Sequence, residues 1–89
     1  MEATIDISLY PLDEKYAAII TDFILKLKND TDLRVEVNGL STQIFGSYDH
    51  LFEVLQTTLK PVLMDYPAVA VLKIAAGTHT KEQLPSTLK

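Results

Sequence analysis

The sequence has no cysteine and no tryptophan, and only three glycines in 89 residues. Without thiols there is no disulfide framework and no thiolate metal site, a composition that suits the cytoplasm. Glycines standing apart at 39, 46 and 77 build neither a phosphate-binding loop nor a Gly-x-Gly-x-x-Gly turn. No apolar run approaches the ~20 residues of a membrane-spanning helix. The opening Met1-Glu2-Ala3-Thr4 is acidic and leads directly into an alternating pattern, unlike a secretory signal. Positive charge is also scarce: eight Lys and Arg stand against twelve Asp and Glu, for a net charge of -4. The basic residues are scattered, so no surface for nucleic-acid phosphates is expected. A neutral or cationic small ligand fits this balance better.

What is present suffices for one small domain. An apolar fraction of 47% against 22% charged residues can fill a single core in a chain of this length. Residues 4–10 alternate, with Ile5, Ile7 and Leu9 on one face and Thr4, Asp6, Ser8 and Tyr10 on the other, before Pro11 ends the strand. Asp13 is a candidate N-cap for a helix whose Tyr16, Ile19, Ile20, Phe23, Ile24 and Leu27 recur at spacings of three and four. Asn29-Asp30-Thr31-Asp32 breaks that helix, and Leu33, Val35 and Val37 mark a second strand. Asn38-Gly39 reads as a tight hairpin turn into a third strand over residues 40–46. Ser47 or Asp49 can cap a second helix, in which Pro61 predicts a kink or a loosened middle. Ala68 to Ala75 reads as a fourth strand closed by Gly77. The remainder, Thr78 to Lys89, has no periodicity and is expected to be a flexible tail on a domain of residues 1–77, or to close over a neighbouring subunit.

The order β-α-β-β-α-β with right-handed crossovers predicts an α+β, ferredoxin-like sandwich: a four-stranded antiparallel sheet with both helices on one face. The other sheet face is left bare and should show Asp6, Ser8, Tyr10, Glu36, Asn38, Ser41, Gln43, Phe45 and Lys73. Tyr10 and Phe45 there are candidates for a subunit contact.

The third strand carries the strongest functional signal. Ser41, Thr42 and Gln43 break the alternation that packing alone would produce and put polar groups on both faces. One of them points into a packed or partly closed space and needs a hydrogen-bond partner there. A ligand, a subunit contact or an internal network would each supply it. Catalytic chemistry is not visible. The two histidines, His50 at a helix start and His79 in the tail, have no cysteine beside them and no second metal ligand at a suitable spacing. An acylphosphatase of this fold would need an arginine in a glycine-rich cradle where this chain has Pro11-Leu12-Asp13. An RNA-binding version needs basic and aromatic residues on both central strands, where Asp6 and Glu36 would repel phosphate.

Three segments resemble the single-domain members of the thiamine-binding (YkoF-type, hydroxymethylpyrimidine/thiamine-binding) family. They are Ile7-Ser8-Leu9-Tyr10-Pro11-Leu12, the run Asn38-Gly39-Leu40-Ser41-Thr42-Gln43-Ile44-Phe45-Gly46 followed by Tyr48-Asp49, and Val71-Leu72-Lys73-Ile74. The middle segment is the specific one, and the likeness spans residues 4 to about 77. It implies non-enzymatic binding of thiamine or its pyrimidine moiety, with no cofactor and no metal, by a homodimer or a dimer of dimers.

An aminopyrimidine offers one amino donor and two ring-nitrogen acceptors, and a thiazolium is cationic. Ser8, Asn38, Ser41, Thr42 and Gln43 can answer the pyrimidine edge. Tyr10, Phe45 or Tyr48 could stack on a ring or cover the cation, and Asp6 or Asp49 could hold the positive charge. Each residue also has a plainer role. Asn38 can be only a turn former, Ser41 and Gln43 exposed or bonded across a dimer, Thr42 a buried hydroxyl, Tyr10 an interface residue and Asp49 a helix cap. An interaction or regulatory module of paired ferredoxin-like domains is the alternative reading of the whole chain.

Overall fold

The computed structural model describes residues 1–88. Its elements follow the order read from the sequence: β1 (Glu2–Pro11), α1 (Tyr16–Lys28), β2 (Arg34–Val37), β3 (Thr42–Ser47), α2 (Tyr48–Asp65) and β4 (Ala68–Ala76). The strands form one antiparallel sheet in the order β2-β3-β1-β4. This is the ferredoxin-like arrangement, with β1 and β3 in the middle.

Period-two alternation sends Ala3, Ile5, Ile7 and Leu9 of β1 to the helix side. There they pack with Ile44 of β3, with Phe23 and Leu27 of α1, and with Leu51, Val54, Leu55 and Leu59 of α2. Ile5 and Ile44 are register partners, and neither has any solvent exposure. Both helices therefore cover the same face, as their stripes at three and four predict.

Local chemistry departs from the sequence reading at the Asn38-Gly39 turn and at Asp13, and selects between its alternatives at the start of α2. Asn38-Gly39 does not form a two-residue turn: among the described residues only Gly77 has positive φ, at 83°. The connection is instead the four residues 38–41, in which the Asn38 Oδ1 accepts from the backbone N–H groups of Leu40 and Ser41, both at 3.0 Å. The asparagine side chain closes the turn itself, so glycine's left-handed conformation is not needed. Asp13 is not the N-cap of α1. It accepts from the Lys15 N–H at 2.8 Å, in the turn leading into the helix. Ser47 rather than Asp49 caps α2, accepting from the His50 N–H, while Asp49 lies in the first turn. Finally, α2 runs unbroken through Pro61. Packing of Leu55 and Leu59 against the sheet holds the segment together where the proline removes a backbone donor.

The opposite sheet face is only partly bare. Gly77 turns the chain back over it, and residues 81–83 and 86–88 form two 3-10 turns. Phe45, expected to be an exposed contact residue, is 4% exposed. Its register partners are Thr4 on β1 and Arg34 on β2. Thr4 is bonded to Gly77 and His79, and Arg34 to Glu82, so the tail crosses the sheet between these two anchors, and the Arg34 guanidinium lies over the Phe45 ring, 6.0 Å from its centroid.

Candidate functional site

Polar side chains of three strands meet on the open face. Register places Glu36, Gln43, Asp6 and Lys73 in one row across β2, β3, β1 and β4. The Asp6 carboxylate accepts from the Ser41 hydroxyl at 2.7 Å and from the Gln43 amide nitrogen. Gln43 also donates to Ser41 Oγ at 2.9 Å, and its carbonyl oxygen accepts from the Asn38 amide at 3.3 Å. Asp6, Ser41 and Gln43 are all half-buried. Ser8 stands beside them, its hydroxyl 3.5 Å from the Leu40 carbonyl oxygen. The network thus orients two amides and one hydroxyl around one carboxylate.

The C-terminal segment turns this face into a groove of about 740 Å³. Glu36, Asn38 and Gln43 line its sheet side, and His79, Lys81 and Leu84 its outer wall. Arg34 reaches Glu36 at 2.8 Å and Glu82 at 2.6 Å. The hydrogen bond with Glu82 lifts the Arg34 guanidinium above its ordinary pKa and holds the Glu82 carboxyl below its own. A space of this volume takes a two-ring ligand.

Of the residues singled out in the sequence, Asp6, Asn38, Ser41 and Gln43 are joined in the network, Asn38 and Gln43 line the groove, and Ser8 is bonded to the neighbouring 38–41 turn. Tyr10 lies on the same face further along β1, 52% exposed. Thr42 is buried on the helix side, where a separate cavity of about 90 Å³ lies against Ile7, Leu9, Phe23 and the 38–41 turn. Phe45 is buried on the open face, with the Arg34 guanidinium over its ring. Tyr48 and Asp49 sit at the far end of β3, on the order of 20 Å from Ser41 at the rise of an extended strand. Tyr48 packs its ring on Phe52 there, with centroids 4.8 Å apart. Glu36 joins the site through its cross-strand register with Gln43. His79, Lys81 and Leu84 join it through the path of the tail, for which the sequence carries no periodic signal.

The YKOF-related family model matches residues 2–74. The chain belongs to this family. Among solved structures, a Streptococcus pneumoniae protein is 25% identical with a TM-score of 0.79, over 88% of this chain and 89% of that one. A Thermotoga maritima protein with a proposed role in thiamine biosynthesis or salvage is 20% identical, with a TM-score of 0.79 over 93% and 94%. A Methanocaldococcus protein of hypothetical function is 23% identical, with a TM-score of 0.73 over 93% and 88%. Among curated proteins, none matches the chain.

A second polar cluster of this YKOF-family chain lies at the opposite end of the sheet. The α1–β2 loop and the first turn of α2 bring Asp30, Asp32 and His50 within 4.8 Å of one another. Two carboxylates and an imidazole could take a divalent cation. The direct contact of His50 Nε2 with Asp30 at 2.8 Å, with Glu53 3.6 Å from Nδ1, makes an ion pair when the ring is protonated. Sequence spacing hides this cluster, because Asp30 and His50 are twenty positions apart.

Desolvation lowers the His50 pKa, but the hydrogen bond and charge of Asp30, with Glu53 and Asp32, outweigh it and raise the value above 6.5. A raised folded-state value means that the pair's stabilisation is complete below the unfolded value and is lost as pH rises through the folded one. A His50→Asn variant is therefore expected to lose less stability than the parent as pH rises from about 6.5 through the folded-state value. Thermal melts across that range measure it, and parallel curves would show that the pair contributes nothing.

Proposed function

We propose that this YKOF-family chain binds thiamine or its hydroxymethylpyrimidine moiety, without catalysing a reaction, as a cytoplasmic homo-oligomer. The observation that carries the reading is the Asp6–Ser41–Gln43–Asn38 network, whose Gln43 and Asn38 line the groove. An aminopyrimidine needs an acceptor for its amino group and donors for its ring nitrogens. The Asp6 and Glu36 carboxylates supply acceptors, and the second Asn38 amide hydrogen and the Lys81 ammonium in the groove wall supply donors, while the Ser41 hydroxyl and the Gln43 amide hold the Asp6 carboxylate in place. The acidic row and the exposed Tyr10 ring suit a cationic thiazolium. Parallel calorimetric titrations with thiamine, hydroxymethylpyrimidine and thiamine diphosphate test it. Saturable binding of the first two near one site per chain is expected, and no heat from either, with folded and ligand-free protein, would refute it.

The homo-oligomer rests on β4. This nine-residue edge strand pairs with β1 on one side only, and Val69, Val71, Leu72 and Ile74 along it are exposed. Phe52, Leu63 and Met64 of α2 continue the apolar band. A long apolar edge is normally covered by another chain. A Leu72→Lys variant is expected to shift the assembly to monomers while remaining folded, as measured by size-exclusion chromatography with light scattering. The same band supports the second reading, a regulatory module that docks another protein. Association of the parent chain with a partner protein but with no pyrimidine would favour it. No described helix is long and apolar enough to cross a membrane.

A further inference from the structure

The tail lies outside the residues matched by the family model, which end at position 74. It nevertheless forms one side of the groove, and it is held at two anchors of different character. The first is local and sheltered. The Thr4 hydroxyl donates to the Gly77 carbonyl at 2.8 Å and accepts from the His79 N–H at 3.1 Å, and Thr4 itself is buried. The second is the Arg34–Glu82 ion pair, whose side chains are 49% and 66% exposed. Thr80, 7% exposed, spans the gap between the anchors.

We infer that residues 79–84 are a hinged outer wall of the ligand groove, latched shut by Arg34 and Glu82, and that the latch sets how long a bound ligand stays. This rests on the groove being the thiamine or pyrimidine site proposed above. An exposed ion pair in water is weak and is screened by salt. The outer part of the tail can therefore lift from β2 while the Thr4 anchor keeps its base on β1. Gly77, at φ 83°, marks the turn about which the segment leaves the sheet. A ligand lying on Gln43 and Asn38 would have His79, Lys81 and Leu84 over it when the latch is closed, and it leaves when the latch opens.

The test uses the full-length chain with thiamine. Stopped-flow dissociation is compared among the parent, Glu82→Ala and Glu82→Lys, together with amide hydrogen exchange of residues 79–84 with and without ligand. Glu82 is exposed, so neither substitution removes core packing. Loss of the pair in Glu82→Ala is expected to speed dissociation roughly 2–5-fold, the range of an exposed ion pair. Glu82→Lys, which places repulsion against Arg34, goes further in the same direction. Raising the salt to about 1 M should bring the parent to the Glu82→Ala rate, because screening then acts within a few ångströms. Ligand should slow exchange across 79–84 in the parent. Thiamine binding with equal dissociation rates in all three proteins and no protection of the tail would overturn the latch and leave the ligand assignment standing. No thiamine binding by the parent chain would overturn both.

Discussion

Replacing Asp6 with alanine is expected to weaken thiamine binding by roughly 30–150-fold, equivalent to about 2–3 kcal/mol. Asp6 is the single acceptor on which Ser41 and Gln43 converge. Its removal frees both side chains to rotate and takes away the negative charge nearest the centre of the row. The loss therefore combines a missing contact with disorder in the groups that remain. Asp6→Asn keeps the shape and one acceptor oxygen but no charge, and should fall between the parent and alanine. The side chain lies on the open sheet face rather than in the core, so both variants should melt cooperatively near the parent temperature. Calorimetric titration of the three proteins measures the effect. Parent-like affinity in Asp6→Ala would place the ligand elsewhere on the molecule, with the small cavity beside Thr42 the first alternative to probe.

The largest expected loss of stability comes from Ile5→Ala or Ile44→Ala. The two side chains meet across the central β1–β3 pair and are fully buried between the sheet and both helices. Each truncation removes apolar contact and leaves a cavity that the sheet cannot close, at a cost of about 3–4 kcal/mol. A domain of this size is stable by roughly 4–13 kcal/mol in all. Each single variant should therefore melt roughly 12–30 °C lower. The double variant should lose less than the sum, because the second truncation enlarges a cavity that already exists. Urea unfolding of the four proteins checks both statements. A loss below about 1 kcal/mol in either single variant would mean that the site collapses around the smaller side chain.

Much of the site was legible in the third strand. The run Ser41-Thr42-Gln43 violates strand alternation, and the structure uses it that way, with Ser41 and Gln43 on the open face and Thr42 buried opposite. Tyr48 and Asp49 belong to the same stretch of sequence but not to the same place. The six extended residues of β3 carry the chain across the domain, so nearness along the chain does not keep them together in space. Alternation places Phe45 on the open face, which it does occupy, yet the residue is buried there. Alternation gives only the face, and whether that face is wet depends on the path of the tail.

Alternation, helical spacing and the order of elements by themselves determined the ferredoxin-like sandwich, the core on the helix side and β3 as the polar strand. These are local, periodic properties, and burial of an apolar stripe leaves each element a single way to face. Register, turn chemistry and coverage were decided only in the tertiary structure. Asp6 meets Gln43 because β1 and β3 pair at that register. Asp30 meets His50 because the α1–β2 loop and the start of α2 pack together. The tail closes a groove over β2 and β3 because Arg34 on one strand and Thr4 on another lie where Glu82 and His79 can reach them. Contacts between residues far apart in sequence depend on the three-dimensional path of the whole chain, and no local pattern encodes that path.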